Sequence, residues 1–217
     1  MKTIGILGGM GAMATVDLFS KIVNNTVVTC DQDHLHIIVD NFAEIPDRTH
    51  YILTKENNPV HKMIEGVKRL EAAGADILLM PCNTAHYFYE ELEKEISIPM
   101  IHMMRETRKL AEGRVMLFAT QGTYAADLYK GVLYPNKEIR TKITELIYDY
   151  KQTGKINDNT KSYILKQITH VDSIILGCTE LPLIFNQKET SIPLIDPTEI
   201  LAKAAVKSAG AKLKEAT

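Results

Sequence analysis

The sequence DILLMPCNTA at residues 76–85 recurs in altered form as DSIILGCTEL at residues 172–181. In each copy an aspartate stands six residues before a cysteine, across an apolar run of the length of a β-strand. The likeness continues downstream, where SIPMI at residues 97–101 corresponds to SIPLI at residues 191–195. This repetition predicts a duplicated half-domain that places its two cysteines at equivalent positions.

The composition is ordinary for a globular protein and excludes several classes of function. The 217 residues are 45% hydrophobic and 24% charged, which suffices for one large domain or two small ones. The net charge of −2 includes no long basic or acidic run, so neither nucleic acid nor an anionic membrane is an expected partner. No apolar stretch reaches the length of a membrane span. The first residues form a strand pattern instead of a signal peptide, and three cysteines are too few for a secreted disulfide framework, so we expect a cytoplasmic protein.

Short β-rich runs alternate with amphipathic helices, which is typical of parallel α/β sheets. The predicted strands cover residues 4–7, 37–39, 77–80 and 100–101, then 115–118, 139–143, 173–176 and 194–195. The predicted fold class is therefore α/β with two similar lobes related by a pseudo-twofold axis, each a four-stranded, mainly parallel sheet flanked by helices. We predict lobes at residues 1–98 and 99–197, with a C-terminal helix at residues 198–217 that packs on the first lobe.

Apolar residues spaced three or four positions apart predict helices in the first lobe. One stripe consists of Val16, Phe19, Ile22, Val23 and Val27, and the other of Val60, Met63, Ile64, Val67 and Leu70. A helix in the second lobe is predicted to begin after Asn157 or Asp158. In such α/β lobes, ligands bind at the carboxyl ends of the strands.

Cys82 and Cys178 both end a predicted strand just before a predicted helix start. Unpaired N–H groups and the helix dipole can lower a thiol pKa from about 8.5 into the physiological range. Hydroxyl, amide or acid side chains follow both cysteines, which favours a functional role over that of small buried hydrophobes. Cys30 lacks this context, and we interpret it as structural.

A glycine-rich turn between the first strand and the first helix allows two interpretations. Gly9, Gly11 and Ala14 match the G-x-G-x-x-A pattern of a dinucleotide site. That site also needs an acidic residue at the end of the second strand, and Asp40 ends this strand but comes late in the sequence. We therefore favour a turn whose backbone N–H groups approach a substrate carboxylate.

Two other strand-end loops carry groups suited to binding a carboxylate. Arg48 could form a bidentate pair with a carboxylate or remain a solvated surface arginine. The hydroxyl of Thr120 could contact a ligand or cap the next helix. The histidines lack metal-ligand spacing and neither Cys82 nor Cys178 has a C-x-x-C companion, so no zinc site is expected.

As a set, these segments resemble the aspartate racemase family within the larger aspartate/glutamate racemase superfamily. The matching segments are GGMG at residues 8–11, PDRT at 46–49, MPCNTAH at 80–86 and LGCTE at 176–180. The resemblance implies two similar lobes with an active site between them, usually in a homodimer, and no pyridoxal phosphate, metal or nucleotide cofactor. The glutamate racemase branch usually has an Asp-Ser-Gly turn at the first strand, so the Gly-Gly-Met sequence here favours the aspartate branch.

The resemblance also implies residue roles. Cys82 and Cys178 would be the acid/base thiols. The implied substrate-binding residues are Met10, Arg48, Asn83, Thr84, Ala85, Thr120, Thr179 and Lys161. Among these, Arg48 would meet the side-chain carboxylate of aspartate. Some aspartate racemases add a lysine from the second lobe, for which Lys161 is the candidate, with Lys155 and Asn157 as alternatives.

A pair of thiols suits racemisation because a proton leaves one face of the α-carbon and another arrives at the opposite face. The expected activity is the interconversion of L- and D-aspartate, extending to glutamate. One alternative is a non-catalytic carboxylate or amino-acid binding protein on the same scaffold. The other is a dinucleotide-dependent oxidoreductase, which would bind a nicotinamide nucleotide.

Overall fold

The computed structural model describes residues 1–215 and contains two three-stranded parallel sheets. The sheets have the orders β2-β1-β3 and β4-β5-β6. The central strand of each sheet is fully buried, because helices cover both faces, and this explains the unbroken apolar runs in the sequence. The strands are β1 (Ile4–Leu7), β2 (Ile37–Asp40), β3 (Ile77–Leu79), β4 (Val115–Ala119), β5 (Ser173–Gly177) and β6 (Leu194–Ile195). The predicted α/β class with two similar lobes is confirmed.

Helices connect the parallel strands and cover both sheets. They are α1 (Ala12–Asn25), α2 (Arg48–Thr54), α3 (Val60–Ala72), α4 (Tyr89–Glu93), α5 (Met103–Arg108), α6 (Gln121–Ala125), α7 (Lys137–Thr153), α8 (Asp158–Gln167), α9 (Leu181–Ile184) and α10 (Pro197–Ser208). Short 3₁₀ turns lie at Asp31–Asp33, Thr84–Phe88 and Gln187–Glu189. In the part of the chain that the structure describes, no helix combines the length and the apolar character needed to cross a membrane.

Neither lobe forms the predicted fourth strand, and each sheet instead has a single bridged residue at one edge. In the first lobe, Met100 makes one parallel bridge to Leu78. In the second lobe, the corresponding bridge joins Leu133 to Met116. The sheets are therefore three strands wide with one bridged residue at an edge, and the predicted count of four strands is wrong.

Residues 139–143, predicted as a strand, belong to α7. Asn136 caps this helix by accepting the backbone N–H of Ile139 at 2.9 Å. The buried residues Ile139, Ile143 and Ile147 recur every fourth position, which is a helical period. The strand prediction was wrong because residues 139–143 are rich in β-branched residues, and such a short segment does not show the helical period of the whole helix.

The predicted stripe on α1 is only partly buried. Val16 is 57% exposed and Phe19 is 42% exposed. From the predicted stripe α1 buries only Ile22, together with Ala14, Thr15 and Leu18. On α3, by contrast, most of the predicted stripe is buried. Because Val16 and Phe19 are apolar but face outward, the apolar pattern predicted the wrong buried face for α1.

The C-terminal helix α10 is shorter than predicted and ends at Ser208. Asp196 caps it by accepting the backbone N–H groups of Thr198 and Glu199. Its apolar face shares a buried cluster with β1, β3 and α1. The predicted stretch extends to Ala216 and Thr217, which lie outside the described residues. A boundary between lobes near residue 98 stays a prediction.

Four chemically distinctive segments follow the carboxyl ends of strands in the two sheets. The glycine turn follows β1, Cys82 follows β3, Thr120 follows β4 and Cys178 follows β5. Parallel strands bring these ends to the same edge of each sheet. The fold therefore gathers the candidate residues at the edges of the two sheets.

The glycine turn offers a test of how tightly the chain is packed at this edge. Gly9 and Gly74 both have positive φ, at 83° and 95°. A Cβ added at Gly9 would lie 2.4 Å from the carbonyl carbon of Phe42, whereas one at Gly74 would meet nothing within 4 Å. We expect Gly74→Ala to lower the free energy of unfolding by about 1–2 kcal/mol. Gly9→Ala should lower it by a further 1–3 kcal/mol, roughly, because of the clash. Urea denaturation measures both, and equal losses would contradict this account.

Candidate active site

A small cavity, here called the thiol cavity, lies where the strand ends of the two lobes meet. Its volume is about 10 Å³, which is space for about one water molecule. Residues from both lobes line it: Met10, Asp47, Arg48, Thr49, Cys82, Asn83, Thr84, Thr120, Tyr148, Lys151, Cys178, Thr179 and Glu180. The cavity thus collects both repeat cysteines together with cationic, amide and hydroxyl groups.

Cys178 is held by a carboxylate two residues further along the chain. Its Sγ donates a hydrogen bond to Oε2 of Glu180 at 3.0 Å. The other carboxylate oxygen, Oε1, lies 3.4 Å from the ammonium Nζ of Lys151. The Glu180 side chain is only 3% exposed. Thiol, carboxylate and ammonium therefore form a continuous chain at the cavity wall, in which the thiol and the carboxylate are buried and the Lys151 side chain is 26% exposed.

The Cys178 thiol is protonated in this arrangement. Burial and the negative charge of Glu180 raise the pKa of Cys178 well above its usual value, and the Lys151 ammonium offsets this only in part. The helix that follows, α9, has only four residues and provides little dipole. The sequence argument for a lowered thiol pKa therefore fails at Cys178, because desolvation and a like charge outweigh the helix end.

Lys151 is the principal residue of the thiol cavity that sequence reasoning missed. Burial lowers its pKa, but the nearby Cys178 and Glu180 outweigh that effect and raise the pKa above its usual value. The residue follows Ile147 by four positions and so continues the buried stripe of α7. Had residues 139–143 been interpreted as helical, this period would have pointed to Lys151.

Cys82 sits in a turn that a buried histidine holds in place. Nδ1 of His86 lies 2.8 Å from the backbone oxygen of Cys82, and Nε2 accepts the backbone N–H of Met103 at 3.2 Å. Burial, with the nearby His102, lowers the pKa of His86 to about 3. The ring is therefore neutral and donates from Nδ1, which connects the Cys82 turn to the start of α5.

Arg48 is buried, and most of its guanidinium is already used by the protein. Its Nη1 donates to the backbone oxygens of Ile45 and Pro46, and its Nη2 donates to the backbone oxygen of Met10. Three of the five N–H donors of an arginine are thus engaged. Within residues 1–215, Nε is buried without a partner. Arg48 is therefore not a surface arginine, and it keeps at most two donors for a ligand.

Asn83 also presents an unpaired donor at the cavity. Its Oδ1 accepts a hydrogen bond from the hydroxyl of Tyr129 at 2.5 Å, which fixes the orientation of the amide. The amide nitrogen Nδ2 is buried and finds no partner in the described chain. Leaving a buried donor unpaired costs about 1–3 kcal/mol. Both Nε of Arg48 and Nδ2 of Asn83 thus favour an acceptor-rich ligand such as a carboxylate.

Threonine hydroxyls join the two lobes beside the thiols. Oγ1 of Thr84 lies 3.0 Å from that of Thr120 and 2.9 Å from that of Thr123, and Thr49 donates to Thr120 at 3.3 Å. Thr120 makes no side-chain cap to α6, so its hydroxyl serves this cluster instead. Thr179 adds a further contact between lobes by donating to the backbone oxygen of Pro81 at 3.3 Å. These bonds are all between neutral groups.

Two amides of the glycine turn are engaged within the protein, where free ones were predicted. The backbone N–H of Gly8 donates to the oxygen of Asp40 at 2.8 Å, and that of Gly9 donates to Oγ1 of Thr15 at 3.0 Å. Neither can reach a substrate carboxylate, so the preferred interpretation is wrong for these two groups. The dinucleotide interpretation is not supported either. The acidic residue that it requires, Asp40, already forms an ion pair with Arg69 at 2.7 Å.

Two predicted substrate residues lie outside the thiol cavity. Lys161 forms ion pairs with Asp158 at 2.9 Å and Glu189 at 2.7 Å, beside a different surface cavity. Ala85 is fully buried in the core of the first lobe. Neither alternative to Lys161 lines the thiol cavity: Asn157 caps α8, and Lys155 is exposed. The structure brings Lys151 to the cavity in place of all three.

A family model described as Asp/Glu/Hydantoin racemase matches residues 7–205. The chain belongs to this family. It is 29% identical over 221 residues to the broad specificity amino-acid racemase RacX of Bacillus subtilis, covering 94% of this chain and 96% of that protein. It is 26% identical to a glutamate racemase of Aquifex aeolicus, covering 93% and 81% of the two chains. The solved structure of Picrophilus torridus aspartate racemase superposes with a TM-score of 0.84 at 32% identity, over 99% of this chain and 96% of that one. The likeness therefore extends over both lobes, and the relatives differ in the substrates that their names state.

Replacing the Glu180 carboxylate tests its control of the thiol. Because its negative charge raises the pKa of Cys178, Glu180→Gln should lower that pKa and shift thiol alkylation to lower pH. The measurement is the pH dependence of iodoacetamide labelling in a Cys30→Ser, Cys82→Ser background. Glu189→Gln, which removes a carboxylate outside the cavity, serves as the control and should leave the profile unchanged. A shift to higher pH in Glu180→Gln would contradict this assignment.

Proposed function

We propose that this protein racemises an acidic amino acid, aspartate first and glutamate second, without a cofactor. The observation that carries the proposal is the thiol cavity itself. Cysteines from the two different lobes line it, together with two buried donors that lack partners in the described chain. A substrate α-carbon between the thiols and a carboxylate on the donors would use every one of these groups.

The proposed reaction moves a proton through the α-carbon. Cys82 as thiolate removes the α-proton from one face, while the protonated Cys178 delivers its proton to the other. The roles exchange for the opposite enantiomer. The hydrogen bond from Cys178 to Glu180 supports its assignment as the acid in the empty protein.

The α-carboxylate needs stabilisation because charge develops on its oxygens as the α-proton leaves. Nδ2 of Asn83 is the proposed unpaired donor to it. The hydroxyls of Thr84 and Thr179 would join it on releasing their present hydrogen bonds inside the protein. Donors held in a water-excluded site are worth more than the same donors in water. Tyr129 holds the Asn83 amide in position before substrate arrives, so little reorganisation is required.

The distal carboxylate of aspartate would meet two cationic groups. Arg48 offers Nε and one remaining Nη2 hydrogen, and Lys151 offers its partly exposed ammonium. Lys151 thus replaces Lys161 as the proposed second anchor. Its ion pair with Glu180 at 3.4 Å is long enough that a substrate carboxylate can compete for the ammonium.

The cysteines provide the first test of the proposal. Cys82→Ser and Cys178→Ser should each lower kcat for aspartate by about 10²–10⁴-fold, the usual contribution of a general acid or base. Circular dichroism of L-aspartate and deuterium incorporation at Cα in D₂O measure the reaction. Cys30→Ser, which changes an exposed cysteine, is the control and should keep full activity. Full activity in either single variant would falsify the two-base mechanism, and saturable binding without exchange would favour a binding protein.

Lys151 and Lys161 form a matched pair for testing the distal anchor. A hydrogen bond to a charged group is worth about 1.5–3 kcal/mol, so Lys151→Met should lower kcat/KM for aspartate by roughly 10–100-fold. Lys161→Met should change it little, because that ammonium is paired outside the cavity. Lys151→Arg preserves the charge and separates loss of charge from loss of folding. The reverse pattern would restore Lys161 as the anchor.

The quaternary state and the compartment are further parts of the proposal. A homodimer follows from the family resemblance, and light scattering during size-exclusion chromatography would distinguish one chain from two. A cytoplasmic location suits a mechanism that requires both cysteines to remain reduced thiols.

A further inference from the structure

A second space, here called the outer cavity, adjoins the thiol cavity and has a volume of about 460 Å³. The start of α1 and the end of α7 line it, with Glu180 between them: Gly11, Ala12, Met13, Tyr150, Lys151, Gly154 and Glu180. Lys151 and Glu180 line both cavities. The two spaces are therefore neighbours that share one wall.

The two residues that line both cavities form an ion pair. Glu180 rests against the first lobe, since a Cβ added at Gly11 would lie 2.9 Å from its Oε1. The Lys151 side chain is 26% exposed, whereas that of Glu180 is 3% exposed. The lysine is thus the member of the pair that solvent reaches.

The sizes of the two cavities bear on what a substrate needs. The thiol cavity of about 10 Å³ holds no complete amino acid, since ligand pockets usually measure about 300–1,000 Å³. The lobes or the wall must therefore move when a substrate binds. The outer cavity supplies space of the required size, and it begins at Lys151, where the distal carboxylate of aspartate is proposed to end.

We propose that the outer cavity receives the distal part of amino acids whose side chains are longer than that of aspartate. This inference rests on the proposed function, because the α-carbon must lie between the two thiols. A long side chain passes Lys151 and then contacts Met13 and Tyr150, which provide flexible apolar and aromatic surface. The substrate class therefore extends to long, flexible, uncharged side chains such as that of methionine, because Lys151 and Glu180 neutralise each other along the way.

Filling the outer cavity from its exposed rim tests this substrate class. The experiment measures deuterium incorporation at Cα of L-methionine and L-aspartate by the wild-type protein and by Met13→Trp. We expect exchange with both amino acids in the wild type. In Met13→Trp, kcat/KM for methionine should fall by at least about tenfold relative to that for aspartate, as for lost apolar contacts in a pocket. Ala12→Phe fills the same cavity from the neighbouring position and should have the same effect.

Leu53→Trp is the matched control. Leu53 is 55% exposed on α2, against 57% for Met13 on α1, and it lines neither cavity. It should leave the ratio of the two rates unchanged. Exchange with aspartate but not methionine, or an equal fall for both in Met13→Trp, would overturn this inference alone. Exchange with neither amino acid would instead overturn the proposed function.

Discussion

The arrangement of the site depends on the burial of the Glu180 carboxylate. Moving a carboxylate out of water costs several kcal/mol even after relaxation, roughly, so it needs close partners. Glu180 has two, the thiol of Cys178 and the ammonium of Lys151. Removing one partner of a buried ion pair typically costs about 3–5 kcal/mol. The carboxylate therefore connects the end of β5, the last turns of α7 and the glycine turn after β1.

The need to pair the buried Glu180 carboxylate with Lys151 accounts for the length and the helical period of α7. The helix must reach far enough to bring Lys151 to the strand ends of the second lobe. It ends three residues later at Gly154, whose φ of 66° is the left-handed conformation of a helix C-cap. A lysine at the end of an apolar stripe is unusual unless it pairs with a buried anion. Here Glu180 is that anion.

Much of the fold could be predicted from the sequence, because burial on both sides leaves a strong apolar signal. The repeat located β3 and β5 and placed Cys82 and Cys178 at their ends. Residues 139–143 were misread because β-branched residues are common in strands, while the longer period of four decided the true structure. The exposed Val16 and Phe19 misled in the same way, since an apolar side chain on a helix need not face the core.

The site could be predicted only as far as residue types imply chemistry. The sequence pointed to Arg48 as a cation, but it could not reveal that backbone oxygens of two loops already occupy three of its donors. Nor could the sequence show that the backbone N–H groups of Gly8 and Gly9 donate hydrogen bonds within the protein. Such pairings join residues that are distant in the chain, and they depend on tertiary structure. The sequence led us to expect a lysine in the site. Lys151 could not be identified as that lysine because it lies on α7, part of which was predicted as a strand.

The two copies of the repeat end in different chemistry, and the structure gives this asymmetry a physical meaning. After Cys82, the Asn83 amide is oriented by Tyr129 so that its nitrogen stays unpaired. After Cys178, Glu180 is an acceptor already satisfied by a thiol and an ammonium. One copy is therefore suited to bind a carboxylate, and the other to keep a thiol protonated. The duplicated scaffold thus gives its two thiols different environments, one followed by an unpaired donor and the other by a buried anion.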